Sequence, residues 1–463
     1  MTPSEKEEKD FVKYTGVPRF TFLNHASFMV ETEQNILIVD PWLQGTAFDD
    51  GWALVDESTT NEGLIHYLEL SEKKIFIWYS HEHSDHLSMS FLRQARGRFN
   101  IQVIYQKTLD RRVYAFFKKQ GLSVIESNET VNINDDLSIK IRIHENGDSL
   151  CLIKIMDTVL LNINDCVIKN EEEARKIKDI LDLDDVKIDI LFTQFGYANW
   201  IGNEENTILR EEASVEKLNR IKIQESVFSP KIIIPFASFI YFCKKENFYM
   251  NDMQNTPKKM RNNDLLKPIQ NKIFFLKPYD RFSFDSKEQY FLQVRKLSKS
   301  SEKHWENCFQ NIEIKENKEK FYNLSELNIE YKKMWKKLSF NFILVPQMFQ
   351  IIHYIRPLSV KVTDLNLILK LSFLSSKIQK NVGKGFDISV SSSTLNTLLK
   401  YEYGLNTTLV NGKFYCDSEE SLKNFKRFFS FQEFYKIGYG INNFLISFKK
   451  LVYMVQNKYR NVL

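Results

Sequence analysis

Short apolar runs separated by polar punctuation fill the first three hundred residues of the chain. Residues 19–23, 27–30 and 35–39 are β-branched and aromatic runs of four or five positions, the pattern of buried strands. The third ends at Asp40-Pro41, and proline cannot donate to a central ladder, so Asp40 marks a strand end. A loop with two glycines (44–52) and a helical stretch (64–70) precede another buried strand at 75–79 and a helix at 89–95. Strands at 102–105 and 122–125 flank a helix at 110–120. A dense β region follows at 138–143, 150–155 and 158–162, with Asp157-Thr158 as the hairpin turn. A helix (171–181), a strand (189–193), a long charged helix (208–225) and strands at 232–235, 273–276 and near Phe282 complete the unit. Such alternation predicts an α/β layered domain over residues 15–290.

Beyond residue 300 the pattern changes. Lys/Glu-rich amphipathic segments (301–338) predict helices with solvated faces. Strand-like runs at 358–362, 367–373 and from 388, a short helix, and an aromatic helical end (425–462) predict a smaller α+β domain over 300–463. No internal repeat is present.

The composition narrows the classes. At 463 residues with 43% hydrophobic and 27% charged side chains, the chain has room for two or three packed cores. Its 64 basic residues against 59 acidic give no polyanion signature, so nucleic acid is not expected as a partner. Cys151, Cys166, Cys243, Cys308 and Cys416 form no Cys-x-x-Cys pair and indicate a reducing compartment. The most apolar window, 340–355, is too short and too interrupted for a membrane span, and the charged first residues carry no signal peptide. The expected location is cytoplasmic.

Candidate chemistry concentrates at Ser80-His81-Glu82-His83-Ser84-Asp85-His86, directly after the 75–79 strand. Three of the chain's eight histidines fall within six positions. Imidazole and carboxylate donors at a stiff strand end suit zinc, iron or manganese. Asp40, His144 and Asp165 fall at further strand ends, where layered α/β folds build ligand clefts. His304 and His353 stand alone and read as structural.

The order His-x-His-x-Asp-His, then His144, then Asp165, with His25 in Asn-His-Ala-Ser and Asp40 before Pro-Trp-Leu, resembles the metallo-β-lactamase superfamily over residues 15–290. The resemblance implies an αββα sandwich. It also implies one metal held by His81, His83 and His144, a second by Asp85 and His86, and Asp165 between them. Asp40 would orient a ligand histidine, and His25 would contact substrate or the second metal. Most two-metal members carry a sixth ligand histidine after the position of residues 232–235, and no histidine lies between His144 and His304 here. That leaves one or two zinc ions, or iron, as the expected cofactor.

The loop 45–52, the run 81–88, Asn162-Ile-Asn-Asp-Cys166 and Pro235-Phe-Ala resemble the C-terminal part of the CMP-N-acetylneuraminate hydroxylase family. That family places a Rieske iron–sulfur domain before this region, and no Cys/His pairs stand in the leader here. Residues 391–414 weakly resemble sterol-carrier modules, which implies an apolar ligand site or plain accessory packing. The leading expectation is a hydrolase in which metal-bound hydroxide, oriented by Asp85 or Asp165, attacks an ester, phosphodiester or amide of a small metabolite. The alternative is a non-haem iron oxygenase acting on a nucleotide sugar with electrons from a separate redox partner. A binding protein with a degenerate site is the remaining reading.

Overall fold

The computed structural model describes residues 11, 14–144, 147–184, 186–316, 319–381, 383 and 385–441. The first domain contains the strands β1 (Arg19–Asn24), β2 (Ser27–Glu31), β3 (Asn35–Val39), β4 (Thr46–Ala47), β5 (Trp52–Leu54), β6 (Lys74–Tyr79), β7 (Ile101–Tyr105) and β8 (Ser123–Glu126). They continue as β9 (Thr130–Asn132), β10 (Leu137–Ile143), β11 (Ser149–Ile155), β12 (Thr158–Asn164), β13 (Ile190–Gln194), β14 (Ile232–Phe236), β15 (Ile240–Phe242) and β16 (Arg281–Ser283).

Two large sheets result, ordered β16-β1-β2-β3-β6-β7-β8 and β14-β13-β12-β11-β10-β9. Phe20 and Phe28 of the first sheet pack on Phe192 of the second, with ring centroids 5.5 and 4.8 Å apart. Every residue of β1, β2 and β3 is buried, as strands covered on both faces must be. The outer face of the first sheet is covered by helices Asn61–Ser71, Met89–Ala95 and Arg112–Lys119, through Leu64, Leu68, Phe91 and Phe117. Helices Glu171–Ile180 and Thr207–Phe228 cover the second through Ala174, Ile177, Leu218 and Ile221. The expected αββα sandwich is therefore present.

Two local expectations change. The hairpin turn between β11 and β12 sits one residue earlier, at Met156-Asp157, with Met156 in the left-handed region at φ 50°. The apolar run 273–276 forms no strand. Ile273 makes a single bridge to Ile233 after the 3₁₀ helix Asp264–Lys272, because Arg261 and Ser298 side chains bond to backbone groups of that run.

Helix Lys287–Gln310 packs Tyr290, Val294 and Trp305 into the first core. The Trp305 indole donates to Leu276 O at 2.8 Å and stacks on Phe239 with centroids 3.9 Å apart. The second core begins at Leu327. There, β17 (Leu358–Val362), β18 (Leu367–Leu371), β19 (Gln379–Lys380), β20 (Ile388–Val390) and β21 (Tyr415–Cys416) form a mixed five-stranded sheet. Helices Leu324–Asn341, Ser392–Lys400 and Glu419–Lys436 cover it. The remainder of the helical end expected to reach residue 462 lies outside the described residues from 442 onward.

Polar side chains seal the two units together. Asn203 pairs with the backbone of Cys416 through both its amide groups, at 2.7 and 3.0 Å. Asn247 donates to Gly51 O and Asn411 O at 2.9 and 2.6 Å. Gly51 has no room for a side chain, because a Cβ there would lie 2.4 Å from Asn411 Cβ. The loop 45–52 is thus clamped from below by the second domain, and β5 is paired by β15 from the side.

Candidate metal centre

The site grows from the ends of four strands. β6 ends at Tyr79, and the segment after it turns sharply, with the His86 and Leu87 amides both donating to His83 O at 3.1 and 2.8 Å. Ser88 then caps the next helix by accepting from Phe91 N at 3.3 Å. This brings His81, His83, Asp85 and His86 to one side of the loop. Asp40, fully buried after β3, anchors it. Its carboxylate accepts from Ser80 N (2.8 Å), Ser80 Oγ (2.7 Å) and Asn164 Nδ2 (2.7 Å), and meets His86 Nδ1 at 2.9 Å. That last contact leaves His86 Nε2 facing the centre.

Two triads of donor atoms converge, each with its three atoms within 4.8 Å of one another: His81, His83 and Asp165, and His25, Asp85 and His86. Asp165 Oδ2 lies 4.0 Å from His81 Nε2 and 3.4 Å from His86 Nε2, so it stands between the two groups. Asp85 Oδ2 lies 3.4 Å from His25 Nε2 and 3.3 Å from His86 Nε2. His25 enters from the β1–β2 turn in a left-handed conformation (φ 38°), and its carbonyl accepts from Ala237 N at 2.8 Å. Ala237 follows β14, the place where a sixth histidine was sought, so His25 approaches the second triad beside that gap.

His144 is in neither triad. Its backbone amide bonds to Asp148 O at 2.8 Å, and the Asp148 carboxylate lies 4.0 Å from His81 Nε2. Asp148 was not singled out from the sequence, although it ends the same His-Glu-Asn-Gly-Asp strand-end loop.

The electrostatics fit a cation site. Burial opposes charge on His86, but Asp85, Asp165 and Asp40 outweigh it and hold this imidazole well above the ordinary histidine range. Burial, then the neighbouring His86, pushes His81 well below that range, and burial likewise lowers His83. Against burial, His86 and His25 keep Asp85 well below the usual carboxylate range. Burial, with Asp165 adding, pushes Asp148 up to about 7. The carboxylates around His86 make this a place that favours positive charge. Asp85 Oδ1 and His86 Nε2 are buried without a hydrogen bond. Buried orphans of this kind are costly, and a metal ion would satisfy both.

Of the triad residues, His83 also lines a cavity of about 740 Å³ built by both domains. Phe48 and His83 face it from the first domain, Tyr401, Tyr403 and Asn406 from the second. At its rim Glu82 binds Arg112 (2.8 Å) and Lys436 (2.6 Å), joining the histidine loop to the helix Glu419–Lys436.

No family model matches the chain. Cytidine monophosphate-N-acetylneuraminic acid hydroxylase of Danio rerio is 24% identical over 285 residues, which are 58% of this chain and 45% of that protein. The human protein, named as inactive, is 25% identical over 282 residues, covering 57% and 52%. The chain resembles these hydroxylases. It spans about half the length of the curated relatives it matches. Among solved structures, a possible metal-dependent hydrolase from Veillonella parvula aligns with TM-score 0.43 and 12% identity over 58% of this chain and 99% of that one. The diiron β-hydroxylase CmlA of Streptomyces venezuelae aligns with TM-score 0.38 and 13% identity, covering 59% and 55%.

The third donor group, Asp56, His304 and Cys308, lies apart. There the His304 imidazole pairs with buried Asp56, and this bond pins helix Lys287–Gln310 to the loop after β5.

Proposed function

We propose that this protein is a metal-dependent hydrolase of a small metabolite, with two adjacent cation positions beside the inter-domain cavity. The observation that carries the reading is the pair of His₂Asp triads sharing the flank of Asp165, with buried Asp85 Oδ1 and His86 Nε2 left without hydrogen bonds. His81, His83 and Asp165 would hold one ion, and His25, Asp85 and His86 the other. Zinc or iron bound there would acidify water and offset charge on an ester, phosphoryl or amide oxygen.

The chain's own residues supply the rest. Asp40 fixes the ring orientation of His86 through Nδ1. Asp85 and Asp165 stay ionised and accept hydrogen bonds from water or substrate. Asp148, at the mouth of the loop, is placed to take up or release a proton. Phe48 and Leu87 give the cavity an apolar wall, and Arg112 and Lys436 at its rim are held by Glu82.

The second reading is a non-haem iron oxygenase. It is favoured by the hydroxylase names of the curated relatives and by the two-histidine, one-carboxylate composition of each triad, a donor set common in iron oxygenases. It requires electrons from a separate redox partner, and a nucleotide sugar is its substrate class. Metal analysis of protein purified without chelators, with bis-(p-nitrophenyl) phosphate and p-nitrophenyl acetate assayed with and without oxygen, separates the two. Zinc with oxygen-independent cleavage supports the hydrolase. Iron with turnover only in oxygen moves the assignment to the oxygenase, and loss of all metal and turnover leaves a binding protein.

A further inference from the structure

The second domain carries a short helix, Val345–Ile351, whose inner side mixes apolar and polar groups: Pro346, Gln347 and Gln350 are buried, and Val345 and Phe349 pack partly buried against the second core. Gln350 donates to Ser372 Oγ at 2.7 Å and accepts from Phe373 N at 2.6 Å, while Gln347 donates to Ser339. The opposite side and the turns flanking it expose Phe340, Ile343, Leu344, Met348, Ile351 and Ile352, each 53–68% accessible. A globular surface helix turns polar residues to solvent; this one is apolar on its outer side as well, and an exposed apolar patch of this kind marks an interaction site. Ile343 and Leu344 both sit in the left-handed region, at φ 49° and 61°. That conformation is costly for a β-branched residue, and it holds both side chains at the crest of the turn.

We propose that this face docks on an anionic lipid bilayer surface, with the crest 340–352 entering the interface between headgroups and acyl chains. Charge selects this occupant. From Tyr331 to Thr363 the sequence contains no Asp or Glu, against five lysines and one arginine. Lys332 and Lys336 are exposed one turn apart on the stripe that leads to Phe340. Arg427 stacks on Tyr354 at the other border, 4.7 Å from the ring centroid. Lys333, Lys337 and Arg356 face Glu330, Glu402 and Glu420, so the collar cations left to meet an anionic surface are Lys332 and Lys336, with Arg427 beside Tyr354. An apolar crest with a cationic collar is the form of helices that lie in a membrane interface. Residues 442–463 are the competing cover. They contain Lys449, Lys450, Lys458 and Arg460 and no Asp or Glu, so they lack complementarity to that collar. No helix among the described residues is long and apolar enough to cross a bilayer, and the docking proposed is on one leaflet only.

The test is co-sedimentation of the full chain with phosphatidylethanolamine vesicles, with and without phosphatidylglycerol. The full chain is expected to sediment with the phosphatidylglycerol vesicles, less so at high salt. The double variant Ile343→Glu/Ile351→Glu, with thermal unfolding and metal content unchanged, is expected to bind at least about tenfold more weakly. Lys332→Gln/Lys336→Gln is expected to lose the preference for phosphatidylglycerol. The proposal is overturned if the full chain stays in solution with both vesicles, or if the double variant binds equally well. It is also overturned if binding appears only after removal of residues 442–463, or if the wild type is a dimer that the double variant splits without either binding vesicles.

Discussion

Replacing Asp40 with Asn tests how the centre is held. In the native protein Oδ1 serves Ser80 N, while Oδ2 serves Ser80 Oγ and Asn164 Nδ2 and meets His86 Nδ1. An amide in the same place puts its NH₂ against the Asn164 amide and the His86 ring, or, if flipped, against the Ser80 backbone N–H. The Ser80 hydroxyl can turn to accept, but at least one buried donor loses its partner in either orientation. At about 1–3 kcal/mol per unpaired buried group, one or two such losses cost about 2–4 kcal/mol. That corresponds to a fall in melting temperature of roughly 5–15 °C for a unit of this size. His86 also loses the group that orients its ring, and such losses weaken metal binding about 10–100-fold. Thermal unfolding in chelator measures the first effect, and competition against a chromogenic chelator measures the second. Unchanged metal affinity in a correctly folded Asp40→Asn protein would refute the positioning role.

Three further outcomes follow from the same geometry. His25→Ala is expected to cost one of the two ions at the centre and spare the other, as read by metal analysis; full retention would remove His25 from the second triad. The Asp56 contact raises His304 to about 9, so its stabilisation is present below the ordinary histidine value and is lost as pH rises through 9. With the side chain about one-third exposed, solvent reduces this to about 1 kcal/mol. His304→Ala in chelated protein should therefore destabilise more at pH 6 than at pH 10, by about 1 kcal/mol, in urea unfolding. Asn247→Ala leaves the buried Asn411 carbonyl and the Lys244 amide without their side-chain partner, and should cost about 2–4 kcal/mol in the same assay.

The strands were legible because buried runs such as 35–39 and 75–79 are short, continuous and β-branched, and their polar ends announce themselves. The triads were legible only in part. His81, His83, Asp85 and His86 are local in sequence, and a strand end holds them together whatever the rest of the fold does. His144 and Asp148 lie four positions apart at one strand end, and no periodicity says that the Asp148 carboxylate stands 4.0 Å from His81. His25 was ambiguous for a similar reason, since a turn residue has no face until the neighbouring strands place it. The crest at 340–352 was legible as apolar, but its exposure depends on Gln347 and Gln350 finding partners at Ser339, Ser372 and Phe373, which are side-chain and backbone groups of other elements. The contribution of the second domain to the cavity was likewise invisible, because Tyr401, Tyr403 and Asn406 come to line one cavity with His83 only through the packing of two cores.

The central claim is that two cations sit side by side between β6, β12 and the β1–β2 turn. Anomalous diffraction from crystals of protein purified without chelators tests it directly. The structure predicts two anomalous peaks, one among His81, His83 and Asp165 and one among His25, Asp85 and His86. A map that lacks a peak at either one of the triads, from protein expressed with zinc and iron supplied, would contradict it.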